Sequence, residues 1–263
     1  MGGLAMAGGA VRKVWDDVKR VLKLSPERLG RLSKFEMIRY LEYWRSMGYP
    51  RADLVIAWNI AKGKSPYVLV VGEPMSGKTT TATYLALRFS LKDWDPTQAY
   101  YAGGTEEFLE DFIEKKKYAE GAIVIDEGEE DLSKWWSDLV KMMRLIHDLR
   151  GLHRQNIFIL VAPEITESAT KIRRMNGAIM FKCIDLGTAR TYIIRRDPAD
   201  ISGQPARRYL LDSRYDVPLP PRQIMERIWE MGRRRKEKIL EEEWKRYKEK
   251  KALKAMKEEA VVF

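Results

Sequence analysis

Three short, continuous apolar runs constrain the fold of this chain more than any other feature of its sequence. They are PYVLVVG at 66–72, GAIVIDEG at 121–128 and NIFILVAP at 156–163. Such runs, rich in valine and isoleucine, are typical of strands buried on both faces. The segments that predict helices between and beside them are 77–90, 105–118 and 131–150. Buried strands that alternate with helices predict an α/β fold with a central, mainly parallel sheet.

The pattern changes after residue 177, where strand-like segments follow one another without a helix between them. AIMFKCID (178–185) and ARTYIIRRD (189–197) flank Leu186-Gly187-Thr188, which predicts a late β-hairpin. RRYLLD (207–212) is one more strand candidate, and PLPP at 218–221 then breaks the chain.

Charge and periodicity divide the chain into three expected units. Residues 1–62 carry a net charge of +6, residues 63–221 carry −1 and residues 222–263 carry +5. Helical spacing over 11–24, 33–47 and 51–61 predicts a small helical N-terminal unit before an α/β core. The last unit predicts a long basic helical tail over 222–258, without a sustained heptad repeat.

The basic flanks bear on partners, and the single cysteine bears on compartment. Basic flanks suit nucleic acid, most simply DNA, although solvated helix faces with excess lysine would give the same charge. One cysteine, Cys183, excludes an internal disulfide, and a cytoplasmic location is expected. No segment approaches the length of apolar sequence that a transmembrane helix needs.

The residues GEPMSGKT, directly after the first apolar run, match the pattern G-x-x-x-x-G-K-[ST]. Glycines let the backbone wrap closely around phosphate oxygens, and the amides that open the next helix point positive charge at an anion. Lys78 adds a mobile cation for the β- and γ-phosphates, and the Thr79 hydroxyl is a ligand for Mg²⁺. ATP is expected because no guanine-specific motif is present. The predicted nucleotide-binding residues are Gly72, Glu73, Pro74, Met75, Ser76, Gly77, Lys78, Thr79 and Thr80.

An acidic pair ends the second apolar run. Asp126 is predicted to order Mg²⁺ together with Thr79, and Glu127 to polarise the attacking water. An ordinary strand end followed by an acidic helix cap would give the same sequence pattern. The catalytic interpretation is favoured because the phosphate-loop pattern precedes the pair in the same chain.

Basic residues cluster in RLIHDLRGLHR at 144–154. In ring-forming ATPases, an arginine from this region commonly reaches the γ-phosphate of the neighbouring subunit and stabilises the transition state. Arg150 and Arg154 are the candidates, beside Lys78 and Glu127, for catalytic roles, although arginines here are also ordinary surface residues.

These motifs resemble the additional-strand (ASCE) branch of P-loop NTPases, in which the two acidic residues lie on a strand not adjacent to the strand before the P-loop. GEPMSGKT, AIVIDEGEE, HDLRGLHRQNIFILVAP and the late pair NGAIMFKCID and ARTYIIRRD are most similar to the FtsK–HerA group and its viral relatives, the genome-packaging and Zot-type ATPases. The resemblance covers roughly 65–212. It implies a RecA-like core in a ring-forming homo-oligomer that hydrolyses MgATP and translocates, packages or transfers DNA.

Two other functions are compatible with the same motifs. One is an AAA+-like replication initiator or helicase loader, which would carry a helical lid within 177–212 instead of a hairpin. The other is an ATP-gated assembly switch or scaffold that binds nucleic acid without translocation.

Overall fold

The structure, a computed structural model, describes part of the chain. The described residues are 39, 46, 48, 50–61, 66–90, 94–102, 107–108, 110–111, 121–126, 157–163, 177–195 and 207–260. The strands are β1 (Tyr67–Gly72), β2 (Tyr100–Tyr101), β3 (Ala122–Asp126), β4 (Ile157–Pro163), β5 (Ile179–Asp185), β6 (Thr188–Arg195) and β7 (Arg207–Asp216). The helices with defined bounds are α1 (Arg51–Ala61), α2 (Lys78–Phe89), α3 (Pro96–Ala99) and α4 (Arg222–Ala260).

The strands form one seven-stranded sheet in the order β2-β3-β4-β1-β5-β6-β7. The first five strands in this order pair in parallel, and β5-β6 and β6-β7 pair antiparallel. The predicted mixed α/β fold with a mainly parallel sheet is therefore confirmed.

The strand β4 lies between β1 and β3, with parallel pairing on both sides. Leu69 lies beside Leu160 in one pairing, and Ile125 lies beside Leu160 in the other. All these side chains are buried, because a central parallel strand has helices or loops on both faces. The three apolar runs thus form the middle of the sheet, and the carboxyl ends of β1, β3 and β4 meet at one edge.

The helix α2 covers these central strands and brings its N-terminus to the same edge. It contacts β4, β3 and β1. Ala82, Leu85, Ala86 and Phe89, spaced three or four residues apart, are buried in the core that these strands share.

The predicted late hairpin is present. β5 and β6 pair antiparallel around a two-residue turn at Leu186-Gly187, where Gly187 has a φ of 88°. A left-handed residue at this position matches the twist of the flanking strands, which is why glycine suits it. The third predicted strand also forms, and β7 extends beyond the expected end at 212 to Asp216.

The helix α1 shares the core with the strands through a buried polar network. Asp53 is ion-paired with Arg88 near the end of α2 and accepts a hydrogen bond of 2.6 Å from the Tyr215 hydroxyl. Asp212 accepts hydrogen bonds from the amides of Arg51 and Ala52 at 2.8 and 3.0 Å, which caps α1. The common core therefore begins N-terminal of residue 63, while the division into three units stays a prediction.

The long helix α4 begins directly after Pro220-Pro221, as the chain break at 218–221 predicts. Met225 and Ile228 in its first turns are buried in the core. From Gly232 to Lys251, every residue whose exposure the structure gives is half-buried or exposed. Over residues 222–251, the buried side chains that the structure describes on α4 therefore lie near its beginning.

Two further findings concern the described ranges only. No helix within them is long and apolar enough to cross a membrane. The predicted helices at 11–24 and 131–150 lie outside the described residues, as do most of those at 33–47 and 105–118.

Candidate functional site

The segment from Gly72 to Thr79 makes a tight turn between the end of β1 and the start of α2. The Ser76 amide donates to the Glu73 carbonyl at 3.2 Å, and Gly77 adopts a left-handed conformation with φ of 85°. Met75 is also left-handed, with φ of 63°. Two left-handed residues within three positions curl the backbone tightly, so its amides can converge on one point.

Both glycines of the turn are required by close backbone approach. A Cβ at Gly72 would lie 2.4 Å from the Ser76 hydroxyl oxygen and 3.0 Å from the Cys183 carbonyl oxygen. A Cβ at Gly77 would lie 3.2 Å from Leu186, at the tip of the β5–β6 hairpin. The turn is therefore held between its own residues on one side and the hairpin on the other.

The amides at the start of α2 open toward the mouth of this turn. The first hydrogen bond of the helix runs from the Thr81 amide to the Gly77 carbonyl at 2.9 Å, so the amides of residues 78–80 precede it. Such amides and the helix dipole favour an anion at this end. Thr80 itself is buried, so its backbone rather than its side chain borders the mouth.

Lys78 is folded over the turn. Its Nζ donates to the carbonyl oxygens of Gly72 and Glu73, at 2.9 and 2.8 Å. Neutral carbonyls are weaker partners for an ammonium group than anionic oxygens are. The lysine is thus available to exchange them for an anionic ligand.

Thr79 and Asp126 meet across the sheet edge, although 47 residues separate them in sequence. The Thr79 hydroxyl donates to Asp126 Oδ2 at 2.9 Å. The helix that carries Thr79 contacts β3 as well as β4 and β1. The structure therefore brings together the two residues predicted to lie at Mg²⁺.

Tyr100, which no sequence pattern indicated, is the third member of this cluster. It lies in β2 beside Val124 of β3, and its hydroxyl donates to the same Oδ2 of Asp126. Burial, together with the neighbouring Asp126 carboxylate, raises the pKa of Tyr100 well above its ordinary value. The phenol is consequently a neutral donor throughout the physiological range.

The residues of the turn differ in exposure. Glu73, Pro74 and Met75 are exposed, while Ser76 is buried with a hydroxyl that has no hydrogen-bond partner in the described part of the chain. An unsatisfied buried polar group is costly unless a ligand or solvent completes it. This hydroxyl is one observation that a bound group would explain.

Other predicted residues lie outside the described ranges. These are Glu127, Arg150 and Arg154. Among the residues that the structure does describe, no cluster of three or more His, Cys, Asp or Glu side chains could hold a metal ion. Thr79 and Asp126 therefore offer a partial ligand set, as is usual for Mg²⁺ that retains waters and binds substrate phosphates.

The interpretation of this site rests on its own geometry. The sequence matches no protein-family model, and a search of the curated proteins finds no match.

The left-handed conformation of Gly77 yields a prediction about stability. Gly77→Ala should destabilise the protein by about 1–2 kcal/mol, because an L-residue is strained at this φ and its Cβ would crowd Leu186. The matched control is Gly232→Ala in α4, where a Cβ has no neighbour within 4 Å. That change should stabilise by about 0.5–1 kcal/mol, because glycine is entropically costly within a helix. Urea unfolding of both variants measures the difference, and equal effects would contradict the geometry of the turn.

Proposed function

We propose that this chain binds MgATP between the Gly72–Thr79 turn and the end of β3, and hydrolyses it as a P-loop ATPase of the ASCE branch. The observation that carries the proposal is the 2.9 Å contact between the Thr79 hydroxyl and the Asp126 carboxylate at the mouth of a glycine turn. A nucleotide site needs both features in one place, and their distance in sequence makes a coincidental meeting a poor explanation.

The residues present fit a triphosphate with Mg²⁺. The glycine turn leaves no room for a Cβ at Gly72. Within the described residues, the buried Ser76 hydroxyl has no hydrogen-bond partner and the ammonium group of Lys78 bonds two carbonyl oxygens. Thr79 and Asp126 would hold Mg²⁺, which neutralises charge on the phosphates when it is bound.

The remaining chemistry falls to groups of the chain. The turn amides and Lys78 orient the phosphates, and Tyr100 holds Asp126 in position through its hydroxyl. Glu127, the next residue, is proposed to accept a proton from the attacking water. Arg150 or Arg154 is proposed to act on the nucleotide of a neighbouring subunit in a ring.

The strand order supports the ASCE branch and a RecA-like core. β4 separates β1, which leads into the turn, from β3, which ends at Asp126. The strands within 177–195 and 207–216 also favour the packaging-like ATPases over an AAA+ initiator, which would have a helical lid there. No described feature favours a non-hydrolytic switch.

DNA is the proposed substrate of the motor because exposed basic residues are abundant on α4. Arg235, Lys238 and Lys245 lie on one side of the helix, half-buried or exposed, in a segment beyond the packed core. Contacts of lysine and arginine with phosphates are salt-dependent and largely independent of sequence, as a translocating enzyme requires.

Lys78→Ala tests the nucleotide site. The variant should lose most ATP affinity, measured by calorimetric titration with MgATP, and should stay folded, because the hydrogen bonds that the structure gives for the Lys78 ammonium group are to two carbonyls of the turn itself. Lys238→Ala, an exposed lysine on α4, is the control and should bind ATP normally. ATP binding by the Lys78 variant with unchanged affinity would contradict the assignment.

Tyr100→Phe tests the position of Asp126. Loss of the hydroxyl should raise the Mg²⁺ concentration for half-maximal ATPase activity about 10-fold or more, because partners of a metal-binding carboxylate tune metal affinity. Tyr101→Phe is the matched control, since the Tyr101 hydroxyl bonds the Gln98 carbonyl instead. Equal Mg²⁺ requirements in both variants would remove Tyr100 from the site.

The DNA proposal is tested on the exposed part of α4. Replacing Arg235, Lys238 and Lys245 by Gln should weaken DNA binding and reduce the slope of log K against log salt by about 3, while basal ATPase is retained. Glu242→Gln on the same helix is the control and should not weaken binding. An unchanged slope, together with ATPase that DNA does not stimulate at low salt, would argue against a DNA motor.

A further inference from the structure

Four large apolar side chains of α4 lie exposed along one line of the helix. Trp229, Leu240, Trp244 and Tyr247 are 59%, 69%, 57% and 56% exposed. At 3.6 residues per turn they fall within about 60° of one another. We call these four residues the apolar stripe. It is distinct from the core-facing side of α4, which Met225 and Ile228 occupy near its start.

A charged edge runs beside the apolar stripe. Glu230, Arg234, Glu241 and Lys248 lie on the same flank of the helix, within about 40° of one another at 3.6 residues per turn. Along the chain their charges read negative, positive, negative, positive. Glu230 and Arg234 also form an ion pair of 2.6 Å within the helix.

We infer that residues 229–248 of α4 pair antiparallel with the same segment of a second copy of this chain. An exposed stripe with two tryptophans indicates an interface. The order of charges along the edge identifies the partner as a second copy. When the same edge is reversed and placed alongside, each charge lies opposite one of the other sign. In an antiparallel pair, Arg234 lies opposite Glu241 of the other copy, and Glu230 lies opposite its Lys248.

The apolar stripe obeys the same two-fold symmetry. Trp229 of one copy lies opposite Tyr247 of the other, and the two Leu240 side chains meet near the axis. The midpoints of all these pairs fall within residues 237–240, so one register brings every pair of the stripe and the charged edge to within about one helical turn of alignment. A single register that satisfies independent features is the mark of an isologous interface.

The remaining residues near the axis are compatible with this register. Arg233 lies opposite Trp244 of the other copy, a pairing of guanidinium with indole that is favourable. Glu237, which approaches its own copy near the axis, is 3.9 Å from Arg233 and is partly neutralised by it. A parallel pair in register would instead place the two charged edges on opposite sides of the interface, where they do not meet.

The pairing goes beyond the proposed ATPase and does not depend on it. Arg235 and Lys238 lie on the opposite side of α4 and stay exposed in the pair. The same helix can therefore join two copies with one face and present cations to phosphates with the other. If the enzyme forms a ring, the pairing joins two rings. For a single subunit or for a ring, the difference in mass between the variants measures the pairing.

The experiment uses two full-length variants with opposite charged edges. The acidic variant carries Arg234→Glu and Lys248→Glu, and the basic variant carries Glu230→Lys and Glu241→Lys. Each alone places four like-charge contacts in the antiparallel pair, and the mixture places four opposite-charge contacts. Wild type should therefore self-associate, each variant should do so at least about tenfold more weakly, and the mixture should recover association.

Sedimentation of nuclease-treated protein at roughly 50 µM and physiological salt measures this, since about 30 Å of paired helix buries less than a standard interface. A control variant with Arg235→Glu and Lys238→Glu on the opposite face should associate as wild type does. Circular dichroism checks that all variants keep their helix. Failure of wild type to self-associate, or a mixture that does not recover association, overturns the proposal. Association that needs added DNA overturns it too, and makes nucleic acid the occupant of the stripe.

Cross-linking tests the orientation, and the chain's one cysteine, Cys183, is buried and gives little background. Leu240→Cys lies near the axis and should form a disulfide with its own copy on mild oxidation. Tyr247→Cys lies about 25 Å from its own copy along the pair and should not. Mixing Tyr247→Cys with Trp229→Cys should give the mixed disulfide. Efficient self-linking of Tyr247→Cys would overturn the antiparallel arrangement.

Discussion

The hydrogen bond between Thr79 and Asp126 depends on the position of α2 and on the order of the central strands. The hydroxyl stands at the N-terminus of α2, and the carboxylate stands at the end of β3, two strands away from the strand that feeds α2. The first turn of α2 therefore reaches past the end of β4 to the end of β3. The insertion of β4 between β1 and β3 is therefore a functional constraint as well as a topological one, since it sets the width that the helix must span.

The glycine turn is constrained from two sides. Gly72 needs its missing side chain because the Ser76 hydroxyl and the Cys183 carbonyl crowd it, and Gly77 needs a left-handed φ that also brings it against Leu186. Cys183 and Leu186 belong to β5 and its turn. The late hairpin thus forms one wall of the phosphate-loop turn, and a change at the hairpin tip is transmitted directly to the backbone that the proposed nucleotide would contact.

The parts of the fold that could be predicted from sequence are those that local pattern determines. The strands β1, β3 and β4 could be predicted because burial on both faces restricts their residues to apolar ones. The hairpin turn at Leu186-Gly187 could be predicted because its left-handed residue favours glycine. Tyr100 could not be found in this way. Its strand has two residues, too few for any periodicity, and its role exists only because β2 pairs with β3.

The same limit applies to the network around Asp53. This aspartate is 35 residues from Arg88 and 162 residues from Tyr215, and no local pattern in any of the three segments indicates the other two. A carboxylate at the start of an amphipathic helix reads as an ordinary exposed residue. Here it is buried, and its cost is offset by a guanidinium and a phenol that only the finished sheet brings to it.

The contacts of α4 give the tail a direct physical connection to the proposed magnesium site. α4 packs against α3, and α3 leads without an intervening residue into Tyr100, whose hydroxyl holds Asp126. Such a chain of contacts couples α4 to Asp126 when the connecting segment has two arrangements and each end changes the balance between them. The strand β2 is the segment suited to such a change, because it is a two-residue edge strand and few backbone hydrogen bonds hold it in the sheet. A displacement of α4 at its contact with α3 would reach the carboxylate through the shortest strand of the sheet.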